Sequence, residues 1–321
     1  MKKFLISALA TSALLMAVPA HAQVKQSREQ ILFYTGDWKG DRFPDGRPKV
    51  SDSLLDRALN VPIEDIWGFL RNKGYNCQFE GGWLTLHDRP FSGRALTTQY
   101  MPARPDMLNA IRAEGKAEGR VSGNNSWPIN ELQPGDVYVA DGFGKNVEGT
   151  LIGSNLGSGI AAHTQGKGGF LFDSGIRDAE ENRENEKLNG VYRAYDPSAW
   201  KDMTLTSINA PVRIGRAVVL PGDVVLVKKD GAIFIPAILA EDAISSAEFT
   251  QLEDGYNFEL NKAGTNGAEF EGGWTAAKYD AMAKWAKGTP GRIRMPMAQF
   301  EKLLAERKAR NAKTVSEAPR R

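Results

Sequence analysis

The apolar and polar positions along this chain fall into short runs that name elements one after another. In residues 51–59, Leu54, Leu55 and Ala58 share one helical face behind Ser51, a good N-cap. Residues 63–72 read as a second helix, entered at Pro62 and stopped by Gly74. Residues 83–86 and 93–100 are β-rich and bounded by turn residues, so they read as strands. A helix over 107–114 follows, and then a loop over 115–133 rich in Gly, Asn, Ser and charges. Pro134-Gly135-Asp136-Val137 is a tight turn that launches a strand, and the same device returns at Pro221-Gly222-Asp223-Val224. Strands at 191–194 and 211–214, a hairpin of 224–228 with 232–235 around Asp230-Gly231, and a closing helix over 240–251 complete the central pattern. Beyond it lie helices at 275–287 and 297–313. Residues 23–49 are polar and hold Gly36, Gly40, Pro44, Gly46 and Pro48; they read as a loose arm or surface loop, open to packing on a neighbouring subunit. Phe79-Glu80-Gly81-Gly82-Trp83 recurs at residues 270–274, with no mechanism attached to the repeat.

The stretch 149–181 organises the rest. An apolar run ends in a glycine-rich turn from Gly153 to Gly159, a short helix-compatible segment follows, and the buried-strand run Phe170 to Phe172 empties into Arg177-Asp178 with Glu181 three residues on. Parallel strands joined by a helix bring their carboxyl ends to one edge, where open α/β sheets bind ligands. The glycines let backbone N–H groups approach an anion. An arginine can pair with a carboxylate or stabilise a developing oxyanion, and an adjacent aspartate can hold a hard divalent metal. This edge is the expected active site. Asp141, ending a strand beside Gly142, is expected to line the same pocket.

Composition narrows the chemistry. The 321 residues carry ordinary globular proportions, 41% hydrophobic and 25% charged. Lys2-Lys3, an apolar stretch from Phe4 to Val18 and the small-x-small site Ala20-His21-Ala22 read as a cleavable export signal, which places the mature chain in the periplasm from Gln23 onward with no membrane segment. Without Lys2 and Lys3 the basic and acidic residues number 39 each, which argues against a nucleic-acid-binding body; the basic tail reads as a solvated helix face and frayed end. Cys77 is the only cysteine, so no internal disulfide braces the fold. It has no neighbouring histidine and reads as a core or strand residue. His87 and His163 are too few and too far apart in sequence for a histidine-rich zinc site. Gly142-Phe143-Gly144-Lys145 does not have the spacing of a dinucleotide or Walker loop.

The ordered set of motifs has a known counterpart. Pro134-Gly135-Asp136-Val137 running to Asp141-Gly142, the loop at Gly153, Gly166 and Gly169, the strand into Ser174-Gly175-Ile176-Arg177-Asp178, and the second Pro-Gly-Asp-Val leading to Asp230-Gly231 together resemble the regulator of ribonuclease activity A family. That family includes 4-hydroxy-4-methyl-2-oxoglutarate aldolases and was formerly misnamed demethylmenaquinone methyltransferase. The resemblance implies an α/β fold with a swivelling β/β/α domain over residues 50–256. It sits between the arm at 23–49 and a helical extension at 257–321, behind the signal at 1–22, and is assembled as a homotrimer or homohexamer. It also implies a lyase that uses Mg²⁺ or Mn²⁺ to act on a 2-oxo acid, by retro-aldol cleavage or oxaloacetate-type decarboxylation. On that reading Asp178 holds the metal and Glu181 supports its water shell. Arg177 binds the 2-oxo oxygen and stabilises the enolate. The loop after Gly153, with Ser154, Asn155 and Leu156, cradles the carboxylate. The loop is lengthened by about two residues and has Ser154 where aldolases often carry an acid. The alternative is a non-catalytic binding or scaffold protein of the same fold, using its added tails.

Overall fold

The computed structural model of the protein describes residues 24–264 and 273–317; the leader at 1–22 lies outside them, as does most of 270–274. In chain order the elements are α1 (Arg28–Tyr34), α2 (Asp52–Ala58), α3 (Ile63–Asn72), β1 (Phe79–Glu80), β2 (Leu84–Thr85), β3 (Phe91–Pro102), α4 (Pro105–Ala117), β4 (Asp136–Thr150), α5 (Ser154–Thr164), β5 (Gly169–Ile176), α6 (Ala179–Glu184) and β6 (Gly190–Tyr195). After these come β7 (Met203–Ile208), β8 (Val212–Ile214), β9 (Ala217–Val219), β10 (Val224–Lys228), β11 (Gly231–Ile235), α7 (Ala240–Lys262), α8 (Ala276–Lys287) and α9 (Met297–Glu317). This is a mixed α/β fold with regions added before and after the sheet domain.

Strands β3, β4, β5 and β6 run parallel in that order, so their carboxyl ends share one edge. The antiparallel hairpin β10–β11 extends the sheet beyond the first half of β3, and β7 pairs with its second half. Side chains alternate across the sheet as the period of two requires. Tyr138, Ala140, Phe170 and Phe172 enter the core beneath α4 and α5, while Val137, Val139 and Leu171 face the small β8–β9 hairpin. A third cluster packs α2, α3 and α7 against Val224, Leu226, Ile233 and Ile235. A satellite core around Phe249, Tyr279 and Phe300 holds α8 and α9 on α7.

The two Pro-Gly-Asp-Val copies build the same turn. Gly135 (φ +79°) and Gly222 (φ +88°) take left-handed backbone at the third position, as a type II turn demands. Asp136 N–H donates to Gln133 O (3.0 Å) and Asp223 N–H to Leu220 O (3.1 Å). In each turn the aspartate carboxylate accepts the N–H of the residue before proline: Gln133 at 2.9 Å and Leu220 at 2.8 Å. The turns flank β3 at Arg94, which registers with Asp136 on one side and Val224 on the other.

The arm differs from its sequence reading. Val24 is buried, Lys25 bridges to Ile208, and α1 begins with a full capping box at Ser27 and Gln30. Arg47 is wholly buried within this chain, ion-paired to Asp136 and Asp45. The many Gly and Pro residues mark turns in a folded segment, because a buried guanidinium fixes the backbone around it. The loop expected at 115–133 likewise carries a 3-10 turn, Trp127–Glu131, whose Trp127 reaches the main core. α7 runs without a break through residue 256, where the sequence places a domain boundary.

Candidate active site

The parallel strands deliver the site to their shared carboxyl edge. β4 ends at Thr150, and Leu151 and Ile152 drop into the core before Gly153 caps α5. β5 is buried along its whole length and ends at Ile176, which brings Arg177 and Asp178 beside that cap. Arg177 N–H donates to Ile152 O (3.0 Å), and this bond ties the two chain segments together. Asp178 holds left-handed backbone (φ +51°), a conformation that a non-glycine residue adopts at a cost and that here re-aims its side chain at the start of α6.

Asp178 Oδ2 accepts the backbone N–H of Ser154 at 3.1 Å. Its other carboxylate oxygen has no partner among the described residues. The Arg177 guanidinium, half-buried, makes no hydrogen bond or ion pair among them either. Gly153 makes this proximity possible. A Cβ there would collide with the Asp178 carboxylate and press on Arg177 Nε. At Gly157 a Cβ would collide with the Asn182 amide, which is buried and donates to Arg177 O (3.1 Å). These glycines are therefore sites of close approach. Asn155 and Leu156 lie in the first turn of α5, where backbone N–H groups have no carbonyl four residues back within the helix.

Together these residues enclose a cavity of about 90 Å³ lined by Gly153, Asn155, Leu156, Arg177 and Asp178, with Asn125 and Trp200 opposite. At ~30 Å³ per water, it holds a ligand head of a few heavy atoms. Asn125 is fixed by donating to Leu151 O (2.8 Å). Of the expected site residues, Ser154 joins through its backbone, and Glu181 stands exposed on α6, outside the lining. Asn125, Ala199 and Trp200 were not read from sequence; they come from distant loops with no motif of their own.

Asp141 lies elsewhere. The alternation along β4 turns it to the face of Val137 and Val139, away from the Gly153 loop. There it neighbours Asp173, which pairs with Arg193 (2.7 Å), and burial raises the Asp141 carboxyl above its usual range, with Asp173 adding to the effect. It does not line the Arg177 cavity. Cys77 is exposed rather than a core residue.

The donor set bears on metal binding. Among the described residues no three His, Cys, Asp or Glu side chains gather as a metal group. Asp178 alone offers a hard carboxylate oxygen beside the cavity. That fits a Mg²⁺ or Mn²⁺ ion held by one carboxylate and several waters, and it does not fit a four-ligand zinc site.

Comparison with known proteins places this architecture. Residues 48–234 match the RraA-like family (Aldolase/RraA), so the chain belongs to that family. A protein of Halalkalibacterium halodurans provisionally named 4-hydroxy-4-methyl-2-oxoglutarate aldolase is 32% identical over 126 residues. That match spans 57% of the relative's length and 39% of this chain. The fold is shared with an uncharacterised protein from Pseudomonas syringae pv. tomato (TM-score 0.55, 18% identity, covering 70% of this chain and 98% of that one). It is shared also with Streptomyces coelicolor RraAS2, described as an unusual member of the RNase ES inhibitor RraA family (TM-score 0.52, 24% identity, 65% and 96% covered). A relative with a provisional aldolase name and a fold neighbour from the RNase ES inhibitor RraA family thus both stand among the proteins it resembles.

Proposed function

We propose that this protein is a lyase dependent on a divalent metal that acts on a 2-oxo acid through a pyruvate enolate, with β-decarboxylation of an oxaloacetate-type substrate as its simplest reaction. One observation carries the reading: the unpaired Arg177 guanidinium sits beside the half-satisfied Asp178 carboxylate in a cavity sized for a small ligand head. The shared family and the name of the aldolase relative support it.

Asp178 would hold the metal, Mg²⁺ or Mn²⁺, with Glu181 reaching its water shell from α6. Once bound, the metal supplies Lewis-acid polarisation of the 2-oxo group. The chain's own residues do the rest. The free N–H groups of Asn155 and Leu156 receive the C1 carboxylate at a helix N-terminus, where the dipole favours an anion. Arg177 donates to the 2-oxo oxygen and strengthens that bond as negative charge collects there. Loss of CO₂ breaks the C3–C4 bond and leaves its electron pair in the enolate, which then takes a proton from water at C3. Arg177 and Asp178 are the only ionisable groups in the lining. Retro-aldol cleavage also needs a base for the departing hydroxyl proton, so decarboxylation asks less of this chain. The proposed setting is the periplasm, in a trimer or hexamer.

Purified mature protein supplied with Mn²⁺ or Mg²⁺ should release pyruvate from oxaloacetate well above the metal-only rate. Arg177→Ala should remove the excess. No metal-dependent excess over a panel of 2-oxo acids would overturn the proposal and favour the scaffold alternative.

A further inference from the structure

A second, larger cavity of about 420 Å³ lies against the first. Trp200 lines both. The neighbours Asn124 and Asn125 divide between them, Asn124 lining the large cavity and Asn125 the small one. The small cavity is too small for a complete drug-sized ligand, whereas the large one is within the range of ordinary ligand sites, ~300–1,000 Å³.

The walls specify a chemistry. Leu108 and Met203 give the lining apolar surface, and Trp127 and Trp200 give it aromatic surface. Trp127 is already committed, its indole N–H donating to Val121 O (3.1 Å). The Asn124 amide is committed too, donating to Thr204 Oγ1 at 2.7 Å and accepting the Leu205 N–H at 3.4 Å, so it builds the wall and holds it still. Trp200 packs edge-on against Tyr100 and spends its indole N–H on no partner among the described residues. Arg112, one turn along α4 from Leu108, is likewise without a hydrogen bond or ion pair among them. The Lys201 ammonium has only a long contact with Glu148 (3.8 Å) among the described residues. Asp202 is the single acidic residue in the lining, so the cavity keeps an excess of cationic donors over acceptors. Apolar and aromatic lining together with unspent cationic donors select an amphiphilic anion.

We propose that this cavity receives the distal arm of the substrate: an apolar, ring-sized body ending in a carboxylate that Arg112 meets. The inference rests on the preceding reading for the head of the molecule and adds its other end. The substrate class becomes a 2-oxo acid bearing a bulky, carboxylated substituent on the carbon that leaves or carries the enolate.

The test separates the two cavities by calorimetry on the mature protein. The first probe is p-toluate, which has the arm and its carboxylate but no 2-oxo head. It should bind wild type, lose at least tenfold in affinity in Arg112→Met, and stay within twofold in Arg177→Ala. Arg112 is exposed and without partners among the described residues, so its replacement leaves the fold intact. The second probe, 4-carboxyphenylpyruvate, adds the head; it should bind at least tenfold tighter than p-toluate and lose that gain in Arg177→Ala. No p-toluate binding, or binding indifferent to Arg112, overturns the arm site even if oxaloacetate is turned over. Equal affinity for both probes overturns the link between the cavities. Absence of oxaloacetate turnover with both binding results intact would fault the lyase reading and leave the arm site standing.

Discussion

Where β3 and β4 begin, Arg47 lies fully buried between Asp136 (2.9 Å) and Asp45 (2.8 Å), and Arg94 is held by Val50 O (2.6 Å), Pro134 O (3.1 Å) and Asp52. Where β4 and β5 end, the Arg177 guanidinium has no partner among the described residues, and Asp178 has one backbone N–H and a left-handed backbone. The same two residue types stand at both edges of one sheet. At the first edge each charge is spent inside the protein, so it fixes the fold. At the second the Arg177 guanidinium is left without an ion pair among the described residues, and on the proposed reading it meets a ligand. The residue types alone do not tell these edges apart; whether the guanidinium has an ion-pair partner within the protein does.

The largest expected effect is at the paired edge. Burial alone works against the Arg47 charge, but Asp136 and Asp45 outweigh it and raise its pKa. Arg47→Ala strands Asp136 as a buried, unpaired carboxylate and should cost about 3–5 kcal/mol, seen as a lowered urea midpoint. Arg47→Met with Asp136→Asn removes both charges and should recover most of the loss. A single variant as stable as wild type would refute the structural role of this pair.

Next comes the unpaired edge. Arg177→Ala should cost ~10²–10³-fold in kcat for oxaloacetate decarboxylation, as loss of an oxyanion donor does. Its urea midpoint should move by no more than about 0.5 kcal/mol equivalent, since no internal bond is lost. A large stability loss would mean that Arg177 belongs with Arg47.

The sequence made much of this visible, and the exceptions share a cause. Residues 63–72 form a helix with those bounds because apolar spacing, Pro62 and Gly74 all act locally. The paired Pro-Gly-Asp turns and the approach of the Gly153 loop to Arg177-Asp178 were legible for the same reason. The arm was misread because its order comes from Arg47, a partner to residues far along the chain. β7 went unread: half of Met203–Ile208 is polar, and its pairing with β3 is non-local. The position of Asp141 beside Gly142 points to the pocket, but the face it takes follows from its parity with Val137 and Val139. The large cavity joins α4 to loops and β7 nearly a hundred residues later, and no local pattern records that meeting.

The two turns also differ in a way that pH exposes. Asp136 has Arg47; Asp223 has only the N–H groups of Leu220 (2.8 Å) and Ala237 (3.3 Å), and burial pushes its carboxyl up to about 7. A folded pKa above the unfolded value means that the folded state holds the extra proton. The stabilisation is therefore complete below the unfolded carboxylate range near pH 4 and is lost as pH rises toward 7. This group should lower stability by up to about 1.4 kcal/mol per pH unit within that window. Asp223→Asn, which mimics the protonated acid, should flatten the slope in denaturant melts; an unchanged slope would refute the assignment.

The smallest effect separates the turns sterically. Each glycine has positive φ, so alanine at either costs ~1–2 kcal/mol in backbone energy alone. At Gly135 the new Cβ meets Arg94 Nη1 at 2.8 Å, the end of a long side chain that can shift at the expense of its bond to Pro134 O. At Gly222 it meets the Pro48 ring, with Cδ at 2.5 Å and N at 2.9 Å, and a proline ring has no rotamer by which to withdraw. Gly222→Ala should therefore lower the urea midpoint more than Gly135→Ala, by about a further 1 kcal/mol, the overpacking scale of a rigid site. Equal losses would show that Pro48 and the arm that carries it can move away from β10. The arm would then be held by its Arg47 ion pairs and its Val24–Ile208 contacts, with no rigid contact at Pro48.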